Sequence, residues 1–245
     1  MAYARIVQAG IKIDTYEYNK DYVSKRKRNY GRSKRRKTVD NQRLFTVQLR
    51  RHSSIQRAKK NFFNLVSTNL QGGEIPTFLT LTTYFDIDVA VAYVALQEFF
   101  RRLAKKHGKG FRFIAVPEWQ KRGNIHFHAL VWGLDPSVAE TERSTRNIQR
   151  CWARGFCDVR PIEYNGLGIA GYMAKYLAKG LEDQRLANRR AYTCSRNVFR
   201  PTTYGSNSFI DQMADFIPID YGIFKQKRYN VPYLGECIHT VYEQF

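Results

Sequence analysis

The stretch Ile125-His126-Phe127-His128-Ala129-Leu130-Val131-Trp132 (IHFHALVW) decides how the chain is read. It is short, apolar and rich in β-formers, which predicts a strand. Alternation along a strand sends His126 and His128 to one face and Phe127 to the other. Just before it, Lys121-Arg122-Gly123-Asn124 is a turn signal, and Phe111 to Glu118 is a second β-rich run. Together they predict a hairpin centred on Arg122. That hairpin sets Glu118 opposite His126, with Cβ atoms roughly 4.5–5.5 Å apart.

Working outward, Phe78 to Tyr84 (FLTLTTY) reads as a strand, and Asp88 to Lys106 as a helix with Val91, Val94, Ala95, Phe99 and Leu103 on its apolar face. Downstream of the hairpin come a helix from about Ser137 to Arg154, a strand from Phe156 to Ile162 and a helix from Gly168 to Leu181. A further helix is expected from Ser53 to Leu70, ended by Gly72-Gly73. The order from Pro76 to Leu181 is β-α-β-β-α-β-α. It predicts an α+β fold: a ferredoxin-like, split βαβ core, an antiparallel sheet with helices packed on one face.

Glu118, His126 and His128 form a candidate three-ligand site for a divalent cation. Mixed oxygen and nitrogen donors with open positions suit Mg²⁺ or Mn²⁺. Two partly buried, hydrogen-bonded histidines and a strand-end carboxylate are the plainer alternative. The second constellation is Tyr172-Met173-Ala174-Lys175-Tyr176-Leu177-Ala178-Lys179. On a helix Tyr172, Lys175, Tyr176 and Lys179 share a stripe, while Met173 and Leu177 share an apolar face. A tyrosine hydroxyl, with an unperturbed pKa of about 10, is a poor nucleophile unless a cation stabilises the phenolate. Thr80 and Thr82 share a strand face, where their hydroxyls could meet phosphates.

The charge points to the partner. Lys and Arg number 41 against 21 acidic residues, a formal net charge of +20. Such a surplus repels itself in a compact chain and fits a polyanion, with nucleic acid first. Two clusters, residues 25–28 and 34–37, lie in what reads as a flexible basic arm, either a DNA contact, a localisation signal or a solvated tail. With 43% hydrophobic residues the chain can bury a core. No transmembrane-length apolar run and no signal peptide is visible, so an intracellular location is expected: the host cytoplasm, or the nucleus of a eukaryotic host. The four cysteines include no CxxC pair, so zinc-ribbon and redox motifs are excluded and buried free thiols are expected.

The three elements, in this order, resemble the motifs of the HUH endonuclease superfamily of replication initiators. FLTLT resembles the first motif, His126-Phe127-His128 the second, and Tyr172-Met173-Ala174-Lys175-Tyr176 the two-tyrosine third, similar to initiators of small single-stranded DNA phages and related plasmids. The resemblance covers about Pro76 to Gly180. It implies a rolling-circle initiator that nicks and rejoins single-stranded DNA through a 5′-phosphotyrosine, with Tyr172 or Tyr176 as nucleophile. Metal would sit on Glu118, His126 and His128, Lys175 would neutralise the phosphate, and Thr80, Thr82, Arg122 and Lys179 would contact DNA. The YxxK pattern favours Tyr172 for the first cut. No GxxxxGK[ST] motif occurs, so a host helicase and polymerase are expected partners. The expected division is 1–52 as a basic extension, 53–184 as the nuclease and 185–245 as a basic, aromatic-rich extension without an assignable architecture. A transposase or relaxase using the same chemistry, and a non-catalytic nucleic-acid-binding protein, are the competing readings.

Overall fold

All seven elements expected between Pro76 and Leu181 form. The structure is a computed structural model. It describes residues 3–20, 41–85, 87–120, 123–134, 142–162, 166–183, 190–206, 215–232 and 234–245. The chain divides into two compact units, residues 61–201 and residues 1–60 with 202–245.

In the 61–201 unit the strands are β3 (Thr77–Thr83), β4 (Arg112–Trp119), β5 (Ile125–Trp132), β6 (Gly155–Arg160) and the short β7 (Thr193–Cys194). The helices are α2 (Val89–His107), α3 (Glu142–Trp152) and α4 (Leu167–Glu182), with the last turns of α1 (Asn41–Thr68). The sheet order is β6-β3-β5-β4-β7, every neighbour antiparallel. β5 lies between β3 and β4, which is the split βαβ arrangement.

Helices cover both faces of this sheet, which corrects the expectation of one. On one face Leu79, Leu81, Phe127, Ala129 and Val159 pack against Leu96, Phe99 and Leu103 of α2 and Ile148 and Trp152 of α3. On the other, α4 lays Tyr172 and Tyr176 against Phe78 and His128. The reason is visible in β5, buried at all eight positions including both histidines. A strand buried on both sides needs cover on both sides.

Helix α2 begins at Asp88, whose Oδ1 accepts from the backbone N–H of Ala90 at 2.7 Å. Its buried stripe is Ala92, Ala95, Leu96, Phe99, Phe100 and Leu103, while Val91 and Val94 are exposed. The expected apolar face is therefore rotated. VAVAYVAL is apolar at nearly every position, so its periodicity is flat, and the large residues of the next two turns set the phase. Helix α1 starts twelve residues before the expected Ser53.

The other unit has its own five-stranded antiparallel sheet, ordered β8-β1-β2-β10-β9. The strands are β1 (Ala4–Ala9), β2 (Lys12–Tyr18), β8 (Thr202–Ser206), β9 (Tyr221–Val231) and β10 (Gly235–Gln244). Residues 4–18, read from sequence as the start of an arm, are instead a hairpin turning at Gly10, where φ is 60°. β2 pairs with β10, and β1 with β8, so the two chain ends build one sheet. The basic clusters at 25–28 and 34–37 lie outside the described residues. Ala4, Ile6 and Ile13 pack with Tyr221 and Tyr242 on one face; Val7, Tyr16 and Cys237 form the apolar part of the other. The cysteines are free; Cys157 and Cys237 are buried, whereas Cys151 and Cys194 are half-buried. No helix among the described residues is long and apolar enough to cross a membrane.

Candidate active site

The candidate site sits where β3, β5 and β4 lie side by side. Thr82 pairs with His126, and His126 with Glu118, so the three occupy one row across the sheet. Thr80, His128 and Val116 form the next row. The hairpin register placing Glu118 opposite His126 is the one read from sequence.

The Glu118 side chain reaches diagonally rather than straight across. His128 Nε2 donates to its Oε2 at 2.7 Å, and Lys179 Nζ donates to its Oε1 at 2.6 Å. Burial alone would raise the Glu118 carboxyl, but the hydrogen bonds from Lys179 and His128 outweigh it and hold its pKa below the usual range. Burial pushes His128 down to about 4, with the Glu118 contact opposing only part of the fall. His126 is lowered too, again by burial first, with Glu118 opposing. Both imidazoles are thus neutral at physiological pH, the form that carries a lone pair for a cation.

Thr80 Oγ1 lies 3.3 Å from His128 Nδ1, and Thr82 Oγ1 lies 3.4 Å from His126 Nδ1. Gln120 Nε2 approaches His126 Nδ1 at 3.2 Å. His126 Nε2 is buried and has no hydrogen-bond partner among the described residues. A buried polar atom without a partner is costly, and a missing ion is one reason to keep it. A threonine hydroxyl can accept as well as donate. Each could therefore take an Nδ1 proton and leave Nε2 for a cation. The donor set, two imidazoles and a carboxylate, fits Mg²⁺ or Mn²⁺. Among the described residues, however, no three acidic, cysteine or histidine side chains are already drawn together around a point. Glu118 is engaged by Lys179 and His128 instead.

Helix α4 brings the tyrosines. Leu167, Ile169, Ala170, Met173 and Leu177 are its buried side. Tyr176 stacks on His128, ring centroids 3.7 Å apart, and Lys179 lies 5.6 Å from the Tyr176 ring centroid. Tyr172 meets Phe78 edge-on at 5.3 Å. The Tyr172 and Tyr176 hydroxyls are 2.8 Å apart. Lys175 is exposed on the same helix. Of the expected residues, the structure therefore brings together Glu118, His126, His128, Thr80, Thr82, Tyr172, Tyr176 and Lys179. Arg122 lies outside the described residues.

Two residues escaped the sequence reading. Phe78 contacts His128, Tyr172 and Tyr176. Its signal was parity with Thr80 and Thr82. Gln120 was hidden beyond the last strand residue, where no pattern ties a glutamine to the histidine it reaches.

No curated protein and no solved structure matches the chain. Residues 76–181, the span from β3 to α4 that carries the whole constellation, match the family model of the replication-associated proteins of the ORF2 type, and this match supports a replication-initiator role.

Proposed function

We propose that the protein starts rolling-circle replication by nicking single-stranded DNA with a tyrosine, aided by a divalent cation. The observation that carries this reading is the convergence of the Tyr172 and Tyr176 hydroxyls, 2.8 Å apart, on the sheet face that holds His126, His128 and Glu118.

In the proposed reaction a phenolic oxygen attacks the scissile phosphorus. A phosphorus–tyrosine bond forms and the bond to the 3′ oxygen breaks. The 3′ oxygen leaves as a hydroxyl, taking up one proton for the one the phenol loses. Mg²⁺ or Mn²⁺, held by Glu118, His126 and His128, would supply polarisation of the phosphate when bound. Lys179 and the exposed Lys175 offset phosphate charge from α4. Because the 5′-phosphotyrosine conserves the energy of the broken ester, rejoining to a 3′-hydroxyl needs no nucleotide. A host polymerase would extend the free 3′-hydroxyl while a host helicase opens the duplex. YxxK favours Tyr172 for the first cut, but the shared position of the hydroxyls removes that ranking. Either tyrosine can start, and the other finishes.

The test is to incubate the full chain with single-stranded DNA and Mn²⁺, then seek a covalent adduct on a denaturing gel. EDTA should abolish it. Tyr172→Phe and Tyr176→Phe should each still form adduct, on the remaining tyrosine by mass spectrometry, and the double variant none. Adduct on a residue outside α4, or undiminished cleavage by His126→Ala in EDTA, overturns the proposal.

A further inference from the structure

Strand β6 forms an edge of the 61–201 sheet, and its side chains alternate. Cys157 and Val159 enter the core under α2 and α3. Phe156, Asp158 and Arg160 stand on the histidine face, opposite Thr82, Thr80 and Phe78. Phe156 therefore ends the row that runs through Thr82 and His126 to Glu118. Two strand spacings, roughly 10 Å, separate it from His126.

Phe156 is 54% exposed, and at the ends of the same strands Tyr84 is 63% and Phe85 76% exposed. Beside them is an open cleft of about 480 Å³, lined by Tyr84, Arg146, Gln149, Arg150, Ala153 and Gly155. Arg146 and Arg150 are one turn apart on α3, so both guanidinium groups serve the same side of that helix. The carboxylate next along the strand face from Phe156, Asp158, is paired with Arg160 at 2.6 Å. Exposed rings beside two arginine side chains suit a ligand with flat faces and phosphates. Paired bases hide their faces in the stack, so an unpaired strand fits better than a duplex.

We propose that Phe156 and this cleft hold the nucleotides flanking the scissile phosphate: a base stacks on Phe156 or Tyr84, and Arg146 and Arg150 take the phosphates. The placement of the scissile phosphate rests on the proposed nicking reaction; the cleft's affinity for single-stranded DNA does not.

The experiment uses the full-length Tyr172→Phe/Tyr176→Phe protein, so that binding is read without cleavage. Phe156→Ala and Arg146→Ala/Arg150→Ala are added in that background; all three positions are surface side chains. Anisotropy with a fluorescent oligothymidylate, and a duplex of equal length as control, gives affinity. An oligonucleotide carrying 5-iodouracil locates the contact by crosslinking and mass spectrometry. We expect each variant to lose about fivefold or more in single-strand affinity, and crosslinks at Phe156 or Tyr84. Unchanged affinity with crosslinks elsewhere overturns the proposal. So does loss that is equal for duplex and single strand and confined to the arginine variant, because a general polyanion surface behaves that way. If the unsubstituted protein forms no covalent adduct yet crosslinks at Phe156, the nicking reaction falls and the cleft stands.

Discussion

His126 and His128 each carry a threonine hydroxyl at Nδ1, from Thr82 and Thr80. Partners on the far nitrogen orient a ligating ring, and removing them typically lowers metal affinity about ten- to hundredfold. Thr80→Val and Thr82→Val should do so for Mn²⁺ in calorimetry, with an unchanged circular dichroism spectrum; wild-type affinity would show that the hydroxyls do not orient the rings. In the other unit Asp14 is buried, accepting from Lys12 Nζ at 2.6 Å and His239 Nε2 at 2.8 Å. Burial pulls its pKa up, but His239 and Lys12 outweigh that and hold it below the ordinary value of about 3.9. A depressed carboxylate contributes stability that is present above the unfolded value and lost as pH falls through the folded one. Amide exchange in β1, β2 and β10 should therefore accelerate below about pH 4. Asp14→Asn should flatten that limb. It should also cost about 3–5 kcal/mol at neutral pH, because it strands the buried Lys12 charge. The three tryptophans all lie in 61–201, so their fluorescence serves as the control.

At the scale of elements, the join from α3 to β6 is the tightest in the 61–201 unit. Ala153 has φ of 53°, the left-handed region. A Cβ on Gly155 would run into the Thr82 carbonyl oxygen, where β6 closes on β3. Trp152 Nε1 donates to that same oxygen at 2.8 Å. Backbone must move to admit the methyl group, so Gly155→Ala should destabilise this unit by about 1–3 kcal/mol in urea melts. A wild-type midpoint would mean that β6 can shift freely. Strands and the hairpin register were readable because β5 and β4 bear alternating chemistry and a clear turn. The phase of α2 was not, because an evenly apolar run defines no face.

For the whole molecule the surplus of 20 positive charges is the controlling fact. DNA affinity should fall steeply with salt, the slope rising by about 0.7 for each phosphate neutralised on a single strand. Residues 25–28 and 34–37 are all basic. Replacing these eight with glutamine tests whether they touch DNA while keeping β1 and β2, which a deletion of the N-terminus would remove. The slope should flatten by about two units or more if three of them make contacts. An unchanged slope assigns them to solvent.

What the sequence determined by itself was local and periodic: the strand, the two-histidine face, the facing carboxylate and the tyrosine stripe. Each follows from spacings of two or about four residues, which backbone geometry converts directly into shared faces. Tertiary structure decided the rest. That β2 pairs with β10, residues more than two hundred positions apart, is not encoded in any local pattern, since both strands only alternate. That α4 takes the histidine face follows from the two-sided burial of β5, and that the two hydroxyls meet follows from where Met173 and Leu177 anchor that helix. Long-range packing set these, because burial is a sum over partners that the chain brings together only when folded.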